Sequence, residues 1–584
     1  MYNNLRITGL ASGIDTETMI SNLMKAERLR LDRAEADKQI LVWKQELYNG
    51  INKDFANFIL DTRKDFGLTT VTSTGTLLSN SYENLNWVKK ATSSNESTAT
   101  VSATAKAVNG TYSVNVQNLA DGVTLASTDS ISGTNSKENL ATQFGLSDTD
   151  TIEFTITTDK GFKEFSFLGT NTMTDVVNAI NSAKVKTAND KEIPLGVKAM
   201  YDPTIDRFFL QTTETGKDAS IEIDTTAGSV GEAFIGKLNL NATYYTHETD
   251  SNGKHIEAKN IGEFTVNTKY QGANAIISFA GATGIERSSN QFTINGIDFN
   301  LKTTGEFNVT VDTDVDKVYE KIDNFVKKYN ELVEKSNNLL TEKQYRDYKP
   351  LTAEQKKDMD KKDVELWEEK AKSGLLRSDE ITSRTMQNIR RGMYDKVDKV
   401  NGSYDLITKI GITTEKFVSG SIGGKLTIDE AKLKTALKED ANGVLELLFK
   451  EPDYKSLGID PYAEEGSLSW EQLESKRKNS GIVTRLYDNM IQGMQSIIEK
   501  AGTGDDSNLY RNVKSNMLID FVTKHGSISL IDKDVLQMER KIDDINDYLV
   551  RKEDSYYQQF AAMEKAISQM NQQSPWLTQQ FSGR

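Results

Sequence analysis

The chain has 584 residues, of which 37% are hydrophobic and 27% are charged, and its formal net charge is −14. A chain of this length exceeds what one hydrophobic core organises, so a multidomain protein is predicted. The acidic balance argues against nucleic acid as a partner, because a phosphate backbone is bound by basic surfaces. No apolar run approaches the length of about 20 residues that crosses a bilayer, so we expect no membrane insertion.

Cysteine is absent from the sequence. Its absence excludes disulfide staples, thiolate catalysis and cysteine-based zinc sites. The opening stretch, MYNNLRITGLASGID, lacks the basic region and the following apolar region of a cleavable signal peptide. We therefore expect a protein that stays inside the cell or leaves it by another route.

Apolar residues recur at heptad-like spacing in both terminal segments. This spacing predicts one long amphipathic helix from Ile20 to Ile59 and another from Leu530 onward. We call each apolar row of this kind a seam. Chain ends are usually poorly ordered unless something holds them, so seams that run close to both ends predict that they pack against another molecule. For Tyr48–Ile59, packing within its own domain is the better prediction. The residues predicted to contact another chain are Ile20, Leu23, Met24, Leu31, Ile542, Ile545, Leu549, Phe560, Met563, Ile567 and Met570.

The C-terminal seam changes phase between Leu549 and Phe560. An inserted four-residue step of this kind is a stutter, which locally unwinds a supercoil. It is compatible with a hinge or a change of partner near Arg551–Tyr556. It is equally compatible with a surface helix whose seam ends and then restarts.

Between Asn86 and Asp312 the apolar period changes to two, which is typical of strands with one wet face. Asn-Gly dipeptides lie between alternating runs at Asn109-Gly110 and at Asn295-Gly296. Each dipeptide predicts a type I′ hairpin, because both of its residues tolerate positive φ.

The same region is interrupted in ways that favour two small β domains over one continuous sandwich. A helix is predicted over Met173–Ser182, and poorly periodic loops are predicted near Thr128–Ser147 and Thr243–Lys259. We place the break between the two domains near Gly110 and Asn267.

Helical periodicity returns at Val318–Leu332. The spacing of a capping box occurs at Thr352 with Gln355 and at Thr427 with Glu430, which predicts helix starts there. Further helices are predicted over Ile482–Lys500, over Leu509–Thr523 and from Leu530 toward the end.

These elements predict an α+β multidomain protein in which a β-rich head is inserted into a helical region. The N- and C-terminal segments are then free to lie side by side. The predicted parts are coiled-coil-like leg helices over 1–45 and 541–584, a helical bundle domain over 46–85 and 311–540, and a β-rich head over 86–310 with an outer subdomain over 110–267.

Side chains that could carry catalysis or bind a metal are scattered. No histidine pair has the spacing of a shared metal site, the histidines being His247, His255 and His525. The run from Asp312 begins like a calcium loop, but Lys317 stands where that loop requires glycine. The glycine-rich stretch 420–424 precedes a strand-like segment, so a hairpin turn is predicted there rather than a phosphate cradle. We predict no enzyme activity, no cofactor and no metal.

Several motifs, taken together, resemble one known family. They read GLASGIDT from Gly9, LMKAER from Leu23, YRDYKPLT from Tyr345, WEEKAKSGLLR from Trp367, QFAAMEKA from Gln559 and MNQQSPWL from Met570. They are similar to the hook-associated protein 2 family of flagellar filament caps. The hairpin over Phe292–Leu301 also resembles a short strand motif shared by flagellins and hook-associated proteins. The resemblance covers the helical parts from end to end, whereas the β-rich head is only generally similar.

The resemblance implies a homo-oligomeric cap at the distal tip of the bacterial flagellum. Such a protein is exported by the flagellar type III route, lies outside the cell, and promotes the ordered insertion and folding of flagellin. The implied partners are other copies of the chain, flagellin, hook–filament junction proteins and a flagellar export chaperone. A role in adhesion is a possible addition. A flagellin-like filament subunit and a surface adhesin are the alternatives, because both share the acidic, cysteine-free composition.

Overall fold

The computed structural model describes residues 15–71, 77–132, 136–249, 255–415, 423–461, 463, 467–502 and 528–581. The chain divides into two compact units, one formed by Met1–Tyr82 with Val315–Arg584 and the other by Glu83–Asp314. We call them the helical unit and the β unit. Helices at both ends with strands between them confirm the predicted α+β class. None of the helices within the described ranges is long and apolar enough to cross a membrane.

The first helix, α1 (Thr16–Phe66), is 51 residues long and confirms the predicted N-terminal helix. It begins at Asp15, whose carboxylate accepts a hydrogen bond from the Thr18 backbone N–H at 3.0 Å. This bond satisfies an amide group that has no partner inside the helix. The helix ends at Gly67, whose φ of 74° is the left-handed conformation common after a last helical turn. Two short strands follow, β1 (Thr69–Val71) and β2 (Leu77–Ser79).

The β unit contains short helices and many strands. Its helices are α2 (Leu140–Phe144), α3 (Met173–Ser182) and α4 (Val230–Lys237). Its strands are β3 (Lys89–Ser93), β4 (Ala99–Ala103), β5 (Gly110–Asn118), β6 (Thr124–Ser127), β7 (Thr151–Thr158), β8 (Gly161–Leu168), β9 (Lys184–Lys186), β10 (Glu192–Pro194), β11 (Val197–Asp202), β12 (Arg207–Thr212), β13 (Ser220–Asp224), β14 (Leu240–Thr249), β15 (His255–Glu263), β16 (Tyr270–Gln271), β17 (Ala275–Phe279), β18 (Ala282–Arg287), β19 (Gln291–Ile294), β20 (Ile297–Leu301) and β21 (Gly305–Thr313).

These strands surround two apolar cores. One core is built from residues between Val123 and Tyr270, where the sheets have the orders β11-β12-β6-β14-β15 and β16-β13-β7-β8. The other core is built from residues 99–120 and 275–311, where the orders are β18-β17-β5-β21-β3 and β19-β20-β4. The strands of the second core therefore come from both ends of the unit, and the chain between them builds the first core.

The remaining helices belong to the helical unit. They are α5 (Val315–Thr341), α6 (Ala353–Lys357), α7 (Lys361–Lys372), α8 (Glu380–Tyr394), α9 (Glu430–Phe449), α10 (Tyr454–Leu457), α11 (Trp470–Asn479), α12 (Ile482–Ala501) and α13 (Leu530–Phe581), with the strand pair β22 (Ile412–Thr414) and β23 (Leu426–Ile428). Both α1 and α13 run unbroken through the predicted domain boundaries at residues 45 and 541. Those boundaries stay predictions.

The two predicted hairpins have opposite outcomes. Asn295 and Gly296 adopt φ of 50° and 79° between paired strands, which confirms the predicted turn. At Asn109-Gly110 the prediction is wrong, because β4 pairs with β20 while β5 pairs with β17 and β21. The predicted loop over 243–259 is also wrong, since β14 and β15 pair there as a long hairpin.

Predicted helix starts also differ in outcome. The capping box at Thr352 and Gln355 is present and opens α6. The one at Thr427 is wrong: Thr427 lies in β23, and the Asp429 carboxylate caps α9 by accepting from the Lys432 N–H at 3.0 Å. The helices predicted over Met173–Ser182 and Ile482–Lys500 are confirmed. The helix predicted over 509–523 lies outside the described residues, as do the motif at 9–14 and most of the glycine-rich stretch at 420–424.

Candidate interaction surface

The two terminal helices pack side by side within one chain. At the base of the pair, Gln45 of α1 donates hydrogen bonds to Asp532 Oδ1 and to the Ala501 carbonyl oxygen, each at 2.7 Å. Farther out, Lys38 Nζ lies 2.7 Å from Glu539 Oε1. Residue numbers fall along α1 as they rise along α13, so the two helices are antiparallel.

We call residues 16–45 of α1 together with residues 530–561 of α13 the leg. By the register of the pair, the described start of α1 at Thr16 stands level with the end of this stretch. Residues 562–581 continue α13 past that level, and we call them the C-terminal extension. At 1.5 Å per residue the extension is about 30 Å long.

Part of the predicted contact seam is buried inside the leg. Ile20, Met24 and Leu549 form an apolar cluster and are only 2%, 5% and 6% exposed. Half-buried predicted residues pack against them, namely Leu31, Ile545 and Phe560. These residues meet within a single chain, where the heptad pattern predicted a partner in another molecule.

Other predicted seam residues remain on the surface. Leu23 is 39% exposed, and on the extension Met563 and Met570 are 36% and 68% exposed. Ile567 between them is half-buried. Their spacing places Met563, Ile567 and Met570 on one face of the helix. We call this row the extension stripe. Contact with another chain stays a prediction for these residues.

The leg exposes further large apolar side chains that the heptad reading missed. They are Met19, Leu29, Leu536 and Val550. A contiguous apolar patch marks a protein–protein contact, whereas apolar residues exposed singly are common on protein surfaces. The available signal was spacing: Met19 and Leu23 are four residues apart, and Leu536 and Val550 are two heptads apart.

Residues 345–352 and 367–377, which carry two of the motifs quoted for the family resemblance, form a small lobe beside the leg. Trp367 Nε1 donates to the Lys349 carbonyl oxygen at 2.9 Å, and its ring lies 4.6 Å from the ring of Tyr348. Lys370 Nζ lies 4.8 Å above the Tyr348 ring. Lys372 contacts α1 from the lobe, with its Nζ 5.0 Å above the Trp43 ring. The motifs at 345–352 and 367–377 thus fold together against the N-terminal helix.

A cleft of about 370 Å³ separates the lobe from the leg. It is lined by α1 between Asp32 and Val42, by residues 350–353 and Lys356, and by the predicted seam residue Ile542. Arg28 Nη1 lies 3.6 Å from Glu354 Oε1 at its edge. Burial and the nearby Glu354 carboxylate raise the pKa of Asp32 against the opposing effect of Arg28.

At the base of the leg the pKa of a carboxyl group is shifted in the opposite direction to that of Asp32 in the cleft. Burial alone would raise the pKa of Asp532, but hydrogen bonds from Ser529 and Gln45 outweigh it and lower that pKa. Ser529 Oγ donates to Asp532 Oδ2 at 2.7 Å and accepts from the Asp532 N–H at 3.1 Å. Ser529 therefore caps the start of α13, and the Asp532 carboxylate both accepts from the Ser529 N–H and ties α13 to α1.

Two examples show titratable groups elsewhere in structural pairs. His247 Nδ1 lies 2.5 Å from Glu257 Oε2 on the β14–β15 hairpin, and Asp316 Oδ1 lies 2.8 Å from Lys434 Nζ. Among the residues that the structure describes, no three histidine, aspartate or glutamate side chains are grouped as metal ligands. His525 is outside those residues. The leg offers exposed apolar side chains on its helix faces for binding.

Comparisons with known proteins bear on both ends of the chain. The model described as flagellar hook-associated protein 2 C-terminus matches residues 272–572, and the model described as its N-terminus matches residues 12–122. The flagellar hook-associated protein 2 of Halalkalibacterium halodurans is 28% identical, covering 99% of this chain and 100% of that protein. Its counterpart in Thermotoga maritima is 22% identical, covering 99% of this chain and 96% of that protein.

A solved structure is also similar. It is that of the flagellar cap protein FliD from Escherichia coli, which is 19% identical, has a TM-score of 0.46, and covers 76% of this chain and 95% of that chain. The C-terminal family model alone, over residues 272–572, spans more than half of the 584 residues. The two models also reach into the N-terminal helix and the leg, where the quoted motifs stand. The chain belongs to the flagellar hook-associated protein 2 family.

Proposed function

We propose that the protein is the distal cap of the bacterial flagellar filament. Several copies assemble at the tip, promote the ordered insertion and folding of exported flagellin, and prevent its loss to the medium. The observation that carries the proposal is the extension stripe. It leaves Met563, Ile567 and Met570 on one helix face past the end of the paired leg.

The extension stripe is the surface we assign to filament contact. An amphipathic helix with an exposed apolar row is suited to lie in an apolar groove, with anchors at i, i+4 and i+7. Polar side chains occupy another face of the same helix, for example Lys565 and Gln569. The contact is therefore limited to one narrow face, and it can be released as subunits are added beneath the cap.

The proposed partners are other copies of this chain, flagellin, the hook–filament junction proteins and a flagellar export chaperone. The proposed location is outside the cell, at the tip of the flagellum, after type III export. Family membership and the leg with its exposed apolar residues support these assignments. A role in adhesion would add to them, but no particular site among the described residues of the β unit favours it.

The extension stripe can be tested with a double variant, Met563→Ser with Ile567→Ser. Each apolar side chain is worth about 1.5–3 kcal/mol if fully buried in a contact. Because 1.4 kcal/mol corresponds to a tenfold change in affinity, losing both should weaken the contact by about a hundredfold or more. Cells that carry this variant should release flagellin into the medium and swim poorly.

The matched control is Lys565→Ser with Gln569→Ser, which changes two exposed residues at the same spacing on another face of the same helix. It should leave motility and retained flagellin unchanged. Equal flagellin loss in both double variants would indicate damage to the helix rather than to a contact. Normal filaments with the Met563 and Ile567 variant would remove the extension stripe from the mechanism.

A further inference from the structure

The apolar seam of α13 lapses between Leu549 and Phe560, and the structure shows what occupies the gap. The helix continues unbroken through this stretch, so the change of heptad phase is not a break in the helix. Tyr548, Lys552 and Tyr556 stand there at four-residue intervals, which places them on one face. All three are half-buried.

These residues surround a single carboxylate of α1, that of Glu27. The hydroxyl of Tyr556 lies 3.3 Å from Glu27 Oε1, and that of Tyr548 lies 3.5 Å from Glu27 Oε2. Lys552 Nζ lies 5.7 Å and 5.8 Å from the centres of the two tyrosine rings, within the range of cation–π attraction. The rings also pack against the apolar cluster that contains Leu549. We call this group the Glu27 cluster.

The Glu27 cluster restricts the register of the two helices more than the Lys38–Glu539 pair does. If the helices slid by one turn, Lys38 could exchange its partner Glu539 for Asp543, four residues farther along. Glu27 would instead face the like charge of Asp544 in one direction and a phenylalanine in the other. In either direction one of the two tyrosines would leave Glu27, and Lys552 would take the position of a tyrosine. Of these three registers, only the observed one places both tyrosine hydroxyls beside Glu27.

We infer that Glu27 fastens the far end of the leg, holding α1 and α13 together in one register across the gap in the apolar seam. A polar residue in a helical seam lowers stability while specifying register, which is the role assigned here. Since the C-terminal extension continues the same helix, its position relative to α1 depends on this contact. The inference concerns contacts within one chain, so it can be tested independently of whether the protein binds a filament.

Distances between spin labels in the full chain test the inference directly, because the sequence has no cysteine to interfere. A far label pair, Ser21→Cys with Gln558→Cys, reports on the end of the leg. A near pair, Asp37→Cys with Arg540→Cys, reports on its base. All four positions are exposed. With Glu27→Ala, the far-pair distances should broaden or lengthen, because the far ends of the two helices can then separate. The near-pair distances should not change, because Gln45 and Lys38 still hold the base.

Three further variants separate the contact from general damage to the helix. Arg30→Ala, at an exposed position on the same helix, should leave both pairs unchanged. Glu27→Gln keeps an acceptor oxygen and should restore a narrow far-pair distribution. Tyr548→Phe with Tyr556→Phe keeps the rings but removes the donors, and should reproduce the effect of Glu27→Ala. If the far-pair distribution of Glu27→Ala is as narrow as that of Arg30→Ala, the inference is overturned.

Discussion

At the scale of single residues, Gly296 shows how one turn position constrains the β unit. Its φ of 79° is the left-handed region that favours glycine. A Cβ atom placed there would lie 2.7 Å from the Ala107 backbone nitrogen and 3.0 Å from the Lys106 carbonyl carbon. Both neighbours are backbone atoms and cannot rotate away. The turn therefore requires glycine for conformation and for space.

Replacing this glycine separates the two requirements. Gly296→Ala should lower the free energy of unfolding of the β unit by more than about 2 kcal/mol, because strain and steric overlap add. Gly284→Ala is the matched control: its φ is 69°, and nothing lies within 4 Å of an added Cβ. It should cost only the backbone strain, about 1–2 kcal/mol. Denaturant unfolding of both variants measures the difference, and equal costs would contradict the steric part.

Local residue chemistry also explains why one of the two Asn-Gly turns could be predicted from the sequence and the other could not. Asn295-Gly296 joins two strands that pair with each other, so local turn chemistry was sufficient. Asn109-Gly110 joins strands whose partners are distant in sequence, β20 for one and β17 with β21 for the other. A dipeptide carries no information about such distant partners. Thr427 likewise has the spacing of a helix cap, but pairing with Thr413 places it in a strand.

At the scale of elements, the long helices were predictable because one face of each is apolar over many turns. The β14–β15 hairpin was missed for the opposite reason. Its far half, approaching Thr249, is exposed along every residue, so no alternation of polar and apolar residues marks it. The Glu27 cluster was also missed, since a search for apolar periodicity passes over a carboxylate and two tyrosines. The heptad pattern showed that the apolar seam of α13 is interrupted after Leu549. Only the structure shows that the Glu27 cluster occupies the interruption.

The base of the leg should respond to pH through Asp532. Its pKa is lowered below the ordinary value of 3.8, despite burial, by hydrogen bonds from Ser529 and Gln45. A carboxyl with a lowered pKa stabilises the folded state above its unfolded pKa, and that contribution is lost as the pH falls through the folded pKa. At neutral pH, Asp532→Asn should therefore melt below the parent protein, by about a few degrees.

This difference should shrink as the pH falls below about 4, where the parent carboxyl also becomes protonated. Thermal melts followed by helical circular dichroism over a pH series measure it. The exposed neighbour Asp534, changed to asparagine, serves as the control and should show a much smaller difference. A difference between parent and Asp532→Asn that persists undiminished at low pH would exclude the ionised carboxylate as its cause.

At the scale of the whole molecule, the chain combines a helical unit that carries the resembling motifs with a β unit inserted between Tyr82 and Val315. Both chain ends lie in the helical unit, and the leg and the lobe belong to it. The seam was expected to find its partner in another molecule, yet its inner residues are satisfied within the chain. The seam residues that stay exposed, above all those of the extension stripe, remain free to contact other molecules. The heptad pattern could not separate these two groups of residues, because contacts within a chain and contacts between chains produce the same apolar spacing.

The most direct test of the proposed function is the position of the protein on intact flagella. In cells that produce the full chain, gold-labelled antibodies against the exposed β unit should mark the distal tip of each filament. Because a cap is carried outward as flagellin is inserted beneath it, the label should stay at the tip while the filament lengthens. Label distributed along the filament would instead indicate a filament subunit, and filaments with unlabelled tips would contradict the assignment as a cap.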